Sequence, residues 1–149
     1  MTRHPALAAV IAGGLVAGLV DVGAAALINE LSPIVILRAI ASGVLGKAAF
    51  RGGWPAALLG LGLQCLMSIV IAALYRATVS RLPGLRHRWI LGGLAAGPVI
   101  FLVMNAVVVP LSRAWPKPDF TPVTIVPNLA AMLLFGLIVA WFTRHQMRH

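Results

Sequence analysis

The chain has 149 residues, of which 60% are hydrophobic and only 10% are charged, and its mean hydropathy is +0.98. A water-soluble domain of this length needs far more surface charge to stay dispersed, so the composition excludes that class. Several apolar runs approach or exceed about 18 residues, the length that crosses a bilayer as a helix, and they do not alternate as barrel strands do. We therefore predict an all-α, polytopic membrane helix bundle in a single domain.

The formal net charge of +9 would suggest a nucleic-acid partner in a soluble protein. Here the basic residues cluster in short segments between apolar runs, where they set topology and meet anionic lipid headgroups. Membrane lipids are therefore the expected partners, and nucleic acid is not. All four histidines lie outside the apolar runs, and no metal-ligand spacing is present, so neither a metal nor a cofactor is expected.

Four apolar runs are predicted to be spanning helices. They cover about residues 6–27, 54–76, 89–112 and 124–143. Trp54, Trp89 and Trp141 lie at or near the ends of these runs, as amphipathic rings do at a membrane interface. Seven of the twelve Lys and Arg residues belong to the side that holds both termini. This excess predicts that both termini are cytoplasmic.

The stretch 33–53 differs from the four spans. It is apolar, but it carries Arg38, Lys47 and Arg51, and four glycines interrupt it. On a helical wheel Arg38 lies nearly opposite the other two basic residues, whereas a surface helix gathers its charges on one side. We predict a broken, re-entrant segment of two half-helices that protein shelters at membrane depth. An interfacial helix lying flat is the alternative, and a complete fifth crossing would separate the termini.

A short internal echo relates the first and third spans. Residues 11–20 read IAGGLVAGLV and residues 90–99 read ILGGLAAGPV, so seven of the ten positions are identical. The echo fits either two tandem helix-pair units or chance in a chain rich in Gly and Ala. Each copy holds two glycines four residues apart, which lets helix backbones approach closely. The pairs are Gly14 with Gly18 and Gly93 with Gly97. We expect the first and third spans to cross at these helix-packing glycines.

Polar side chains inside spans are costly in lipid, so each is a candidate for function. With the termini inside, five of them fall in the outer half of the bundle on five different elements. The candidate site is Asp21, Arg38, Gln64, Asn105 and Asn128. We expect Asp21 and Arg38 to form an ion pair, because either charge alone would be unpaired in a low dielectric. The set predicts a polar pocket or pore mouth that opens outwards and is closed by the stretch 33–53. The alternative is a static cluster that locks the helices together.

The sequence contains no nucleophile–base pair, phosphate loop or nucleotide fingerprint, so no catalytic residue is assigned and an enzyme is not expected. It favours passage of a small solute or ion through the polar site. Four spans enclose little volume alone, which favours an oligomer of this chain or assembly with another membrane protein. The alternative function is a non-catalytic accessory or scaffold subunit of a membrane complex.

Two stretches carry a resemblance to known proteins. LRAIASGVLGKAAFRGG, from residue 37, and GPVIFLVMNAVVVPLSR, from residue 97, resemble a group of small four-helix bacterial inner-membrane proteins. In that group Leu-His often stands where this chain has Leu63 and Gln64, and the VMN at residues 103–105 recurs. The PLS…PKPDF connection is more loosely similar to YagU-like membrane proteins. The resemblance implies bacterial origin and residence in the inner membrane, and it implies no substrate.

Overall fold

The computed structural model describes residues 4–113 and 121–147, and all regular structure in these ranges is helical. The helices are α1 His4–Ile28, α2 Pro33–Leu45, α3 Gly53–Arg81, α4 Pro83–His87, α5 Trp89–Val103, α6 Val109–Leu111 and α7 Pro122–Met147. A 3₁₀ segment, Gly46–Arg51, joins α2 to α3, and a π-helical turn, Met104–Val108, joins α5 to α6. The predicted all-α fold is confirmed. The PKPDF part of the connection, residues 116–120, lies outside the described residues.

Side-chain sizes are distributed as in a membrane protein. The most buried positions are largely alanines and glycines, and Ala17 and Ala41 have no exposed surface. Large apolar side chains face outwards instead, as Leu27 (82% exposed) and Leu102 (65% exposed) do. Water would penalise so much exposed apolar surface, whereas lipid tails solvate it. Five segments are long and apolar enough to cross a membrane: Ala6–Ile28, Pro33–Arg51, Gly53–Arg81, Trp89–Leu111 and Pro122–Gln146.

Four of these segments correspond to the predicted spans, and the third segment extends further than predicted. Helix α3 continues to Arg81, five residues beyond the predicted end of the span at residue 76. The Thr78 and Ser80 hydroxyls donate hydrogen bonds to carbonyls one turn back in the same helix. Polar side chains that are satisfied within the helix do not end it, so the helix carries on past the apolar region.

Helices α1 and α3 run antiparallel. Gly14 lies against the backbone of Ile69, whereas Asp21, two turns later in α1, is hydrogen-bonded to Gln64, earlier in α3. Helix α1 therefore ends, and α3 begins, at the same end of the bundle, which we call the outer end. The stretch 33–53 joins these two helix ends, so it begins and finishes at the outer end. It is therefore not a fifth crossing, even though its length and apolarity would allow one.

The contact between α2 and α3 depends on Gly60. A Cβ atom there would overlap the carbonyl oxygen of Leu37, so glycine alone permits this approach of the two backbones. Gly60 lies about 10 Å into α3 from Gly53.

The predicted break is found at Gly46, whose φ of 63° is a left-handed value that favours glycine. The 13 residues of α2 extend about 20 Å, which is short of a hydrocarbon core of about 30 Å.

The four repeated glycines do not bring the first and third spans together. Gly14 and Gly18 face α3, whereas Gly93 and Gly97 face α7. The predicted crossing of the first and third spans is therefore wrong, because each copy packs against the next long antiparallel helix. Helices α5 and α7 approach each other closely where Gly93 meets Gly136 of α7. The two copies thus have the same packing role in separate helix pairs, α1–α3 and α5–α7.

The opposite end of the bundle, where α1 and α5 begin, is rich in arginine, and we call it the basic end. The Arg144 guanidinium lies 5.2 Å from the centroid of the Trp89 ring there, a cation–π contact between α7 and α5. The half of the bundle towards this end is filled by an apolar cluster. Its buried members are Val10, Ala17, Ala72, Phe135 and Val139. The buried core towards the basic end is therefore apolar.

Candidate polar cavity

A cavity of about 360 Å³ lies among α1, α3, α5 and α7 in the outer half of the bundle. Four of the five candidate site residues line it: Asp21, Gln64, Asn105 and Asn128. Asn29, Ser68 and Thr124 add further polar groups to the wall, and Met, Phe, Ile and Val side chains form the rest of its surface. Asn29 is exposed at the outer end, whereas Phe135 is buried at mid-height. The cavity therefore extends from the outer end to the apolar cluster.

Asp21 is the acidic residue of the cavity, and Gln64 holds it in place. The Gln64 Nε2 donates to Asp21 Oδ2 at 3.1 Å and to the Gly18 carbonyl oxygen at 3.2 Å. These bonds link α3 to α1. In the parts of the chain that the structure describes, no Lys, Arg or His lines the cavity. The carboxylate therefore lacks a basic counter-charge there, and its field favours cations.

Three asparagines of the wall use their amide NH₂ groups within their own helices. The Nδ2 donors and their acceptors are Asn29 to Ala25 O (2.8 Å), Asn105 to Phe101 O (2.8 Å) and Asn128 to Thr124 O (2.6 Å). A backbone carbonyl can only accept, so the group that faces it must be the NH₂ and not the amide oxygen. Among the described residues, no donor bonds the three Oδ1 atoms. The wall therefore combines a carboxylate with acceptors that are still available.

The side chains that commonly bind metal ions are scarce around these oxygens in the described part of the chain. Within residues 4–113 and 121–147, no group of three or more His, Cys, Asp or Glu side chains is placed to hold a metal ion. The acceptors of the cavity are amide and hydroxyl oxygens around one carboxylate. Such a set suits a singly charged cation that carries N–H donors better than a tightly held transition metal, which prefers His and Cys.

Arg38 is the candidate residue that the structure places elsewhere. Its Nε donates to the Gly53 carbonyl oxygen at 3.2 Å, at the start of α3. The expected ion pair with Asp21 is therefore not formed, because the long Arg38 side chain extends to the outer end, where its charge can be solvated. No residue of α2 lines the cavity. The prediction that the stretch 33–53 closes the pocket is therefore wrong, because this stretch packs on α3 at the outer end without lining the cavity.

Some wall residues were not singled out from the sequence. Thr124 and Ser68 both line the cavity, although neither is among the five candidate site residues. A signal was present in the spacing, since Gln64 with Ser68, and Thr124 with Asn128, are each four residues apart. Residues at that spacing lie on one face of a helix. Two such polar pairs on two spans indicate a shared polar surface.

The π-helical turn Met104–Val108 forms part of the cavity wall and was not predicted. Met104 and Asn105 of this turn both line the cavity. Pro110 follows closely, and a proline lacks the N–H that the regular pattern of helical hydrogen bonds requires there. A turn of this kind displaces the helix by one residue and is often found at functional sites.

No protein-family model, curated protein or solved structure matches this chain. Its function is therefore inferred from the chemistry of the cavity.

Proposed function

We propose that this membrane protein binds a small cation in the outer cavity and passes it across the bilayer. The observation that carries the proposal is the composition of the wall in the part of the chain that the structure describes. It holds one carboxylate, Asp21, and three asparagine oxygens to which no described residue donates, and no basic side chain lines it. Oxygen acceptors of this kind stabilise cations. The cavity volume of about 360 Å³ lies within the range of small-molecule sites, about 300–1,000 Å³.

The hydrogen bonds argue against a purely structural role for this polar set. A polar group that holds two membrane helices together has to bond from one helix to the other. Among the described lining residues, Gln64 does so, through Asp21 and Gly18. Asn105 and Asn128 bond within their own helices and add nothing to helix association. Placing two polar amides inside the bundle is costly, and a ligand that donates to their oxygens, to which no described residue donates, explains this cost better.

We also propose that the protein resides in a bacterial inner membrane with both termini in the cytoplasm. The antiparallel order brings the start of α1 and the end of α7 to the basic end, where Arg81, Arg86 and Arg88 also lie. Arginine and lysine are enriched on the cytoplasmic side of such membranes. The cavity then opens to the periplasmic side.

Uptake of radiolabelled guanidinium into proteoliposomes tests the proposal, because this ion keeps its charge and carries only hydrogen-bond donors. In Asp21→Asn the side chain loses its charge but keeps an oxygen that accepts from Gln64, so the fold should persist. We expect uptake to fall about tenfold or more, since a charged hydrogen bond is lost. Glu30→Gln is the matched control, because Glu30 is exposed and lies outside the cavity, and its uptake should equal that of the parent.

Uptake that is unchanged in a well-folded Asp21→Asn variant would show that the carboxylate does not bind the transported ion. Folding is checked by size-exclusion chromatography and thermal unfolding in detergent. Absence of guanidinium uptake by the parent, against empty liposomes, also contradicts the proposal.

A second candidate function is that of an accessory or scaffold subunit, and helix α5 favours it. The buried residues of α5 are Gly92, Gly93 and Gly97, and most of its large apolar side chains face outwards. This surface suits either lipid or a second membrane protein, including another copy of this chain. Cross-linking from Leu102→Cys in native membranes distinguishes a protein-covered surface from a lipid-covered one. A scaffold subunit gives one reproducible adduct with its partner, whereas a position that faces lipid gives none.

A further inference from the structure

An apolar groove adjoins the polar cavity. It has a volume of about 340 Å³ and runs between α3 and α5, with Gly136 and Val139 of α7 at its base. The two spaces share four wall residues: Met67, Ile71, Ile100 and Met104. Among the described lining residues only Tyr75 and Thr78 are polar, and the Thr78 hydroxyl already donates to its own helix. The groove therefore lies directly beside the acceptor-rich cavity, and the four shared side chains form the wall common to both spaces.

The rims of the groove face the outside of the bundle. Val70 on α3 is 47% exposed and Val99 on α5 is 60% exposed. In a membrane-spanning bundle the medium at this height is hydrocarbon and not water. A molecule dissolved in the bilayer can therefore reach the groove sideways, between α3 and α5.

One face of α3 connects the two spaces. Gln64, Met67, Ile71 and Leu74 recur at helical spacing, and the first binds Asp21 while the last lines only the groove. Ten residues of helix separate the first from the last, which corresponds to about 15 Å. A ligand that reaches from the carboxylate to the far end of the groove therefore has a polar head and an extended apolar chain.

We infer that the cation is amphiphilic, with a guanidinium- or ammonium-type head at Asp21 and an alkyl tail in the groove between α3 and α5. This inference rests on the proposed cation site and adds the substrate class and a route of entry from the lipid. The head donates N–H hydrogen bonds to the carboxylate and the asparagine oxygens. The tail packs against Met67 and Met104, whose flexible side chains adapt to chains of different shape.

Binding of methylguanidinium and dodecylguanidinium to the protein in lipid nanodiscs tests the inference, with empty nanodiscs subtracted. A longer tail partitions into lipid by itself, so the decisive comparison is between variants. Ala96→Phe places a ring in the groove, whereas Ala95→Phe places the same ring on the exposed face beside it. We expect Ala96→Phe to weaken dodecylguanidinium binding about tenfold through lost tail contacts and to leave methylguanidinium unchanged. Ala95→Phe should change neither.

Val103→Phe, on the same wall, is a second groove-filling variant in case Ala96→Phe does not fold. Dodecylguanidinium affinity that is equal in all folded variants overturns the inference, while methylguanidinium binding that depends on Asp21 leaves the proposed function intact. Equal loss of both probes also overturns it, because the ring then disturbs the cavity and not a tail site. If neither probe binds the parent protein, the proposed cation site fails as well.

Discussion

Replacing Gly60 by alanine tests the packing of α2, on which the outer end depends. The new Cβ would lie 2.6 Å from the carbonyl carbon and 3.1 Å from the Cα of Leu37, and it would overlap the carbonyl oxygen. Ordinary Cβ contacts begin at 3.4 Å, so α2 must move by about 1–2 Å to clear the Leu37 carbonyl group. Overpacking of this kind costs about 1–3 kcal/mol, and the higher helix propensity of alanine returns at most about 1 kcal/mol. We expect a net destabilisation of about 1–2 kcal/mol.

Gly62→Ala is the matched control, since it makes the same change in the same helix at a position where no atom lies within 4 Å. We expect it to be neutral or to stabilise the protein by up to about 1 kcal/mol. Unfolding in mixed micelles of increasing dodecyl sulfate content, followed by the fluorescence of the four tryptophans, measures both variants. If Gly60→Ala unfolds at the same midpoint as Gly62→Ala, α2 does not pack on α3 as described.

Two further predictions concern the cavity and the topology. Asn105→Ala and Asn128→Ala should each change the unfolding free energy by less than about 0.5 kcal/mol but lower the affinity for guanidinium. Gln64→Ala should destabilise the protein by about 1 kcal/mol, because the Gln64 side chain links two helices. A large loss of stability in either asparagine variant would instead support a static cluster that locks the helices together. In a Cys65→Ala background, single cysteines at Glu30 and at residue 51 should react with an impermeant maleimide from the same side of the membrane, and labelling from opposite sides would mean that the stretch between them crosses it.

The sequence was sufficient to locate the four long helices and to place four polar residues in one half of the bundle. Hydropathy is read along the chain, so it locates each span without any knowledge of its neighbours. The depth of a residue in the membrane then follows from its position along the span. Asp21 and Gln64 could therefore be assigned to similar depth before the helices were arranged. The break at Gly46 could be predicted for a related reason, since charge and glycine disfavour a continuous lipid-facing helix.

Neighbour relations between helices could not be predicted in this way. The spacing of Gly14 and Gly18 indicates close packing but does not identify the facing helix, because that depends on the lateral order of the bundle. The direction of Arg38 depends on the same order and on the freedom of a long side chain to reach solvated surface. The expected pair with Asp21 considered only the cost of two unpaired charges and overlooked the Gly53 carbonyl as an acceptor for Arg38.

The arrangement of polar and apolar halves also indicates where a passage to the basic end would have to open. The polar cavity ends at Phe135, and beyond it α5 and α7 touch through Gly93 and Gly136, whose backbones are in direct contact. Glycine surfaces have no side chains to interdigitate, so helices packed in this way can separate or slide without changing rotamers. The π-helical turn lies on the same helix, nearer the cavity, and marks the point where α5 departs from regular geometry. Movement of α5 against α7 would leave the Gln64–Asp21 hydrogen bond intact, whereas movement of α1 against α3 would break this bond, which holds the carboxylate in place.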